Sequence, residues 1–409
     1  MSGYGAVAMP PASRELSRKA AVVGVGESDF HDDYRAERSK APGYEAPELE
    51  DLLARAFERA LADSGLSRGD IDGVSVSYTY GGPGPDETAA LLGLKPRYAV
   101  ANGNIMAGPL PRVCAAIAAG EADVVAMLFG VASRSAGRVF GGATHNAGQA
   151  GSGTPSSYYY YHPWGWSSQA AHWALMFGHY MAAYGSREED LGAVAQQVRL
   201  HASRNPNAVM QKPFSIEEYM ASRYIVRPLH LLDICLVNDG AVCLIVSKAD
   251  LARDTAKPPV LVAGWGESKV KSDKMQVMVR ERLRPILQDA GGQALAMAGL
   301  SLDDVGHFAG YDASSIHLVN QIEGIGFVPP GEGLAFCKDG GLDIDGRLPT
   351  NTDGGNLSGA YMQGWSQVVE AVRQLRGEAG ARQVAGLDVS MSVLAQTDQA
   401  HPMIFVKGQ

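Results

Sequence analysis

At 409 residues, 46% of them hydrophobic and with a formal net charge of −9, the chain buries substantial cores without disulfide staples and has room for roughly two to three domains. The acidic balance, with no long Lys/Arg run, argues against a nucleic-acid surface. Four scattered cysteines (Cys114, Cys235, Cys243 and Cys337), without a C-x-x-C pair or metal-like spacing, fit a reduced, cytoplasmic setting.

Residues 1–19 are polar, carry no apolar signal core and read as a lead-in. Ala20 to Ser28 reads as a buried strand ending in a Gly turn, and the charged stretch 31–45 as a loop. Pro47 to Ser64 has helical spacing at Leu49, Leu52, Leu53, Ala56, Phe57, Ala60 and Leu61. Gly73 to Tyr80 alternates like a strand. Val113 to Val125 reads as a helix running into a strand. The longest apolar stretch, Val113 to Ala132, is broken by Glu121 and Asp123 and is too polar to span a membrane. Residues 133–170 interrupt the pattern with Gly, Ser and Tyr, including Tyr158 to Tyr161. An interruption of that length marks a functional loop, a tunnel wall or an interface. Gln169 to Tyr184 is again helical, and Asp239-Gly-Ala makes a turn before a strand, Val242 to Val246.

The order then repeats. Gly24-x-Gly-Glu-Ser returns at Gly264, 240 residues on, and Gly65-Leu-Ser returns at Gly299, 234 residues on. Each Gly-Leu-Ser follows a helix-like run and precedes a strand-like one, so the chain reads as an internal duplication. Alternating strands and helices in each half predict an α/β fold with parallel-rich sheets covered by helices. The division falls at the turn-like Asp254 to Pro259: a first half over 1–256, with an inserted region over 133–230, and a second over 257–409.

Two motifs are set aside. Gly24-x-Gly26 lacks the third glycine of a dinucleotide fingerprint and reads as a strand-end turn. His172 and His179, seven apart on one helix, lack the further ligands a metal needs, so no metal site is expected.

The most informative stretch is Asn351-Thr-Asp-Gly-Gly-Asn-Leu-Ser-Gly-Ala-Tyr-Met-Gln-Gly-Trp365. It reads as a tight loop opening a helix over Val368 to Arg376. Gly354 and Gly355 permit positive φ and close approach of a ligand, and the helix N-terminus favours developing negative charge. This loop resembles the late catalytic loop of the thiolase superfamily in its sterol-carrier, lipid-transfer branch, where Asn-x-x-Gly-Gly precedes a Gly-His-Pro. Here Tyr361 and Met362 stand at the His and Pro positions. Gly310-Tyr-Asp-Ala-Ser314 resembles the branch's His-Asp-Ala-Phe, again with a tyrosine, Tyr311, in place of histidine. The window matching the family's nucleophile, Asn102 to Pro109, has no cysteine, and Cys114 lies farther along the helix. No late Cys-x-Gly is present either.

Two tyrosines at the two histidine positions resemble the steroid side-chain-cleaving retro-aldolases of that superfamily. The resemblance implies duplicated βαβαβαββ halves in a five-layered αβαβα core. It also implies retro-aldol cleavage of a 17-hydroxy-3-oxo-pregn-4-ene-20-carboxyl-CoA-type substrate to a 17-ketosteroid and propionyl-CoA. Tyr311 and Tyr361 are then the catalytic pair, Tyr361 taking the hydroxyl proton and Tyr311 serving the enolate, or the reverse. Asp312, Asn351, Gly354, Gly355 and Asn356 are supporting residues: Asp312 orients Tyr311 or caps a turn, and Asn356 is an oxyanion donor. No cofactor is implied beyond the CoA of the substrate. The implied partners are a second copy and a DUF35-type OB-fold protein or a hydratase subunit. A non-catalytic lipid- or CoA-ester-binding scaffold and an acyltransferase using Cys114 or Cys337 remain as alternatives.

Overall fold

The computed structural model describes residues 6–8, 14–40, 43–102, 108–138, 168–270, 280–395 and 399–408. The first half contributes β1 (Ala6–Ala8), β2 (Ala20–Glu27), α1 (Phe30–Ser39), α2 (Leu49–Ser64), β3 (Gly73–Tyr78), α3 (Pro85–Leu91), β4 (Tyr98–Ala101), α4 (Pro109–Ala118) and β5 (Val124–Val131). Then come α5 (Ala170–Tyr184), α6 (Glu188–Ala202), α7 (Ile216–Ala221), a small hairpin of β6 (Tyr224–Val226) and β7 (Leu229–His230), and β8 (Gly240–Lys248). The second half runs β9 (Val260–Trp265), β10 (Ser268–Val270), α8 (Arg280–Ala298), β11 (His307–Gly310), α9 (Ser315–Ile325), α10 (Gly333–Lys338), a π-helical turn (Gly355–Gly359), α11 (Trp365–Arg376), β12 (Val389–Ala395) and β13 (Gln399–Lys407).

Strand pairing repeats between the halves. In the first, β2 and β5 flank β8 antiparallel, and β3 continues parallel to β5 with β4 at the edge. In the second, β9 and β12 flank β13 antiparallel and β11 continues parallel to β12, with a single Phe308–Thr350 bridge where β4 would be. Two residue pairs, Ala21–Leu261 and Val22–Val260, join β2 to β9 and make the sheet continuous.

Strand alternation builds the layers. On β5, Val124, Ala126 and Leu128 meet the apolar face of α2. The intervening Val125, Met127 and Phe129 meet a central layer containing α4 and α11, which also receives Val262, Met403 and Phe405 from the second half. The far face of the second-half sheet packs on α8 and α9. Helices α5 and α6, though inserted in the first half, belong to this last cluster through Trp173, Phe177, Leu191 and Val194.

Gly24 and Gly26 lie inside β2 rather than in a strand-end turn, while Gly264 lies in β9 and Gly266 just past its end, in the short link to β10. A Cβ on Gly24 or Gly26 would lie 2.3 or 2.0 Å from the carbonyl oxygens of Ala60 and Ala56 on α2. On Gly264 or Gly266 it would lie 2.2 or 2.0 Å from those of Ala294 and Ala290 on α8. Glycine therefore lets α2 lie directly on β2 and α8 directly on β9. The Gly-Leu-Ser copies match equally. Gly65 and Gly299 end their helices at φ +73° and +71°. The Ser67 and Ser301 backbone N–H and hydroxyl groups then donate to Asp70 and Asp304 respectively.

The stretch read as a loop over 31–45 holds α1. Its pattern is almost wholly polar, with only Phe30 buried, so periodicity gave no helical signal. Asp29, just before it, is held by Arg55 and Arg59 of α2 at 3.1 and 2.8 Å.

Candidate active site

Tyr311 follows the last residue of β11. Its N–H donates to the Val393 carbonyl on β12 at 2.9 Å, and its carbonyl accepts from Gln321 Nε2 at 2.7 Å. The sheet and α9 thus fix its backbone, and its ring sits edge-on to His317 at 6.0 Å. Tyr361 lies just beyond the π-helical turn. Its N–H donates to Asn238 Oδ1 at 2.8 Å, which ties it to the segment entering β8. The two hydroxyl oxygens meet at 3.3 Å, and Tyr361 Oη also accepts from Gln363 Nε2 at 3.2 Å.

Burial pushes both phenols above their ordinary value. Tyr361 and the neighbouring Cys235 raise Tyr311 further, and Cys235 also raises Tyr361, whereas the hydrogen bond from Tyr311 partly offsets the rise at Tyr361. Tyr80 is close enough to raise Tyr361 further, and burial pushes Tyr80 itself up to about 12. The resting site therefore holds neutral phenols.

The supporting residues hold the tyrosines' two loops together, and several differ from their expected roles. Asp312 is fully buried. It does not orient the Tyr311 hydroxyl: Oδ1 accepts from the Asn356 N–H (2.7 Å), Asn356 Nδ2 (2.9 Å) and Gln367 Nε2 (3.3 Å), and Oδ2 from the Leu357 N–H (3.3 Å). Asn356 directs one side-chain N–H, as well as its backbone N–H, to Asp312. Burial still dominates and pushes the Asp312 carboxyl up to about 7.

Asn351 brackets Gly310, accepting from its N–H at 2.8 Å and donating to its carbonyl at 3.0 Å. Gly354 and Gly355 have φ of +99° and +53°, but it is protein that approaches them, not a ligand. An added Cβ would lie 2.5 Å from Ala202 Cβ at Gly354 and 2.1 Å from Asp312 Oδ2 at Gly355. The helix behind the loop starts at Trp365, after Gly364 at φ +89°, with the π-helical turn intervening.

No thiol is poised for attack. Cys114 is 1% exposed in the central layer, and burial pushes it up to about 12. Cys337 is buried and also raised, and burial takes Cys235, which faces the tyrosines, up to about 12. The Tyr158–Tyr161 run and residues 103–107 of the nucleophile window lie outside the described residues. Sequence reasoning missed Gln363, Asn238, Cys235 and Tyr80. Gln363 and Asn238 sit beside recognised motifs, and their contact with Tyr361 is the only signal that singles them out.

Comparison with known proteins now decides the family. The family described as Thiolase C-terminal domain-like matches residues 229–397. A steroid side-chain-cleaving aldolase of Thermomonospora curvata is 34% identical over 378 residues, 88% of this chain and 91% of the relative. A 17-hydroxy-3-oxo-4-pregnene-20-carboxyl-CoA lyase of Mycobacterium tuberculosis is 36% identical over 390 residues, 91% of this chain and 95% of the relative. The chain belongs to the family of the steroid side-chain-cleaving aldolases. A solved Ltp2-ChsH2(DUF35) aldolase superposes with a TM-score of 0.81 at 29% identity, covering 96% of this chain and 98% of that one. The thiolase fold is shared more widely: an acetyl-CoA acetyltransferase of Syntrophomonas wolfei superposes with a TM-score of 0.67 at 14% identity. In this aldolase the tyrosine pair stands at the inner ends of two loops that the family fold brings together, and a buried carboxylate latches those loops to each other.

Proposed function

We propose that this aldolase cleaves the Cα–Cβ bond of a β-hydroxyacyl-CoA carried on a steroid, using Tyr361 and Tyr311 as a proton relay. The observation that carries the reading is the 3.3 Å contact between two hydroxyls in a setting that keeps both neutral. The substrate hydroxyl gives its proton to Tyr361 Oη, Tyr361 passes its own to Tyr311 Oη, and Tyr311 delivers one to the α-carbon. The O–H electron pair becomes the ketone π bond, and the Cα–Cβ pair becomes the thioester enolate that takes the proton. Both phenols end as they began. The step balances without an acyl-enzyme or a further cofactor, CoA entering only as part of the substrate.

For a 17-hydroxy substrate with a three-carbon CoA side chain, the products are a 17-ketosteroid and propionyl-CoA. This substrate follows the relatives' names. A DUF35 protein is the proposed partner, supported by the likeness to the Ltp2-ChsH2(DUF35) aldolase. A second copy would pair along β4, the edge strand, whose Ala99 and Ala101 are exposed.

The test is release of propionyl-CoA from that ester, with and without a DUF35 partner, across neutral pH. A tyrosinate base would make kcat rise about tenfold per pH unit, because its ionised fraction grows with pH. The relay predicts a flat profile there, and a slope near one would overturn it. No release under any pairing would overturn the aldolase reading for this substrate.

A further inference from the structure

Gln363 lies two residues past Tyr361 at φ +48°, a left-handed conformation that residues other than glycine rarely adopt. The backbone on either side is pinned, by Asn238 at the Tyr361 N–H and by the start of α11 after Gly364. That strained placement holds the Gln363 amide against the catalytic phenol, with Nε2 donating to Tyr361 Oη at 3.2 Å. The other end of the amide is unmatched. Gln363 Oε1 is buried and has no hydrogen-bond partner among the described residues. A buried acceptor without a donor is destabilising, so such an atom beside a reacting group points to a donor that arrives with the ligand.

The chemistry narrows that donor. On the retro-aldolase reading, on which this inference rests, the reacting end of the substrate offers one polar hydrogen, that of the β-hydroxyl. The thioester and the product ketone offer acceptors only. We propose that Gln363 is the hydroxyl-recognition residue of this aldolase: the β-hydroxyl donates into the notch between Gln363 Oε1 and Tyr361 Oη. The Nε2 contact holds Tyr361 Oη beside that same hydroxyl. Once the bond breaks, the steroid oxygen has lost its proton and faces Oε1 acceptor to acceptor. One amide thus favours the alcohol on entry and disfavours the ketone on exit.

The experiment measures discrimination rather than rate alone. In the Tyr311→Phe background, where turnover is stopped, Kd is measured for the hydroxylated CoA ester and for its deoxy analogue, with Gln363 intact or changed to Met or Gly. Inhibition by the 17-ketosteroid is measured in the otherwise wild-type enzyme and in both Gln363 variants. The preference for the hydroxylated ester should fall about tenfold or more in both variants, and the ketone should inhibit more tightly. Glycine relieves the strained φ, so Gln363→Gly should keep or raise Tm while losing the preference. A preference that survives in both variants overturns the proposal, as does a loss that only tracks a falling Tm. The wild-type cleavage assay separates the layers. If the enzyme cleaves the hydroxylated ester and the preference is unaltered, only the Gln363 role fails. If it does not cleave, the aldolase reading and this inference fall together.

Discussion

The two halves share their strand pairing and several scaffold motifs and differ in what they do with them. Each sets a Gly-x-Gly at or near the end of a strand, β2 or β9, against a helix, closes that helix with a left-handed glycine, and turns into the next strand through a Ser–Asp pair. Each also sends the N–H of an asparagine beyond its edge position back to a neighbouring strand, Asn102 to the Val76 carbonyl and Asn351 to that of Phe308. The second half alone carries the paired tyrosines, Tyr311 at the end of β11 and Tyr361 in the latched loop beyond Asn351. The first-half helix α4 supplies a wall, and its Cys114 is a core residue. Duplication preserved the parts that stack strands and helices and left the strand-end loops free to diverge.

Mutations can break this comparison, the largest effects falling on the catalytic side. Tyr361→Phe or Tyr311→Phe should each cut propionyl-CoA release by about a thousandfold or more, by interrupting the relay. Cys114→Ala should leave kcat unchanged and cost only about 1 kcal/mol of packing in thermal unfolding. A large kcat loss there would mean that the first half still does chemistry.

The scaffold predictions are symmetric. Gly26→Ala and Gly266→Ala should each destabilise by about 3 kcal/mol, because the new methyl meets a helix carbonyl in both halves. Sharply unequal Tm losses would show that one copy has relaxed.

Between the two classes stands the latch. Asp312→Asn should cost about 2 kcal/mol, since an amide places a donor among donors. The sign of its pH dependence follows from the raised carboxyl. With a folded value of about 7 against an ordinary 3.8, the folded state holds its proton across that window. The associated stability is fully present below the ordinary value and is lost as pH rises through about 7. The stability gap between wild type and Asp312→Asn should therefore be widest in acid and shrink toward pH 8, about one unit above that carboxyl. Smallest of all, Ser67→Ala and Ser301→Ala should each cost about 1 kcal/mol or less.

Much of the fold was legible because burial writes itself as periodicity. The apolar positions of α2 and the alternation of β3 appear directly in the sequence, and the repeated Gly-x-Gly-Glu-Ser marks the duplication. The glycines' purpose was not legible, since a carbonyl 2.0 Å from a missing Cβ belongs to a helix some thirty residues away. Helix α1 escaped because it has almost no buried face. At the site, the tyrosines stood out as replacements within a family pattern. Asp312 was read as orienting Tyr311 or capping a turn and Asn356 as an oxyanion donor; the bond between the two, across 44 residues of chain, left no mark in the sequence. Gln363 showed nothing in sequence, because its significance lies in a dihedral angle and one contact.

The central layer has a consequence for how the protein can be handled. Trp365 of α11 stacks on Phe129 of β5 at 5.5 Å, and one apolar cluster takes residues from both sheets. Neither half closes this interior by itself, and among the described residues the strand pairing between them is short, two residue pairs between β2 and β9 and three between β1 and β10. A chain cut in the 254–259 connector would yield two fragments that each expose a wide oily face and depend on the other for solubility. Co-expressed, the two should reassemble through this shared interior, with recovered lyase activity as the readout.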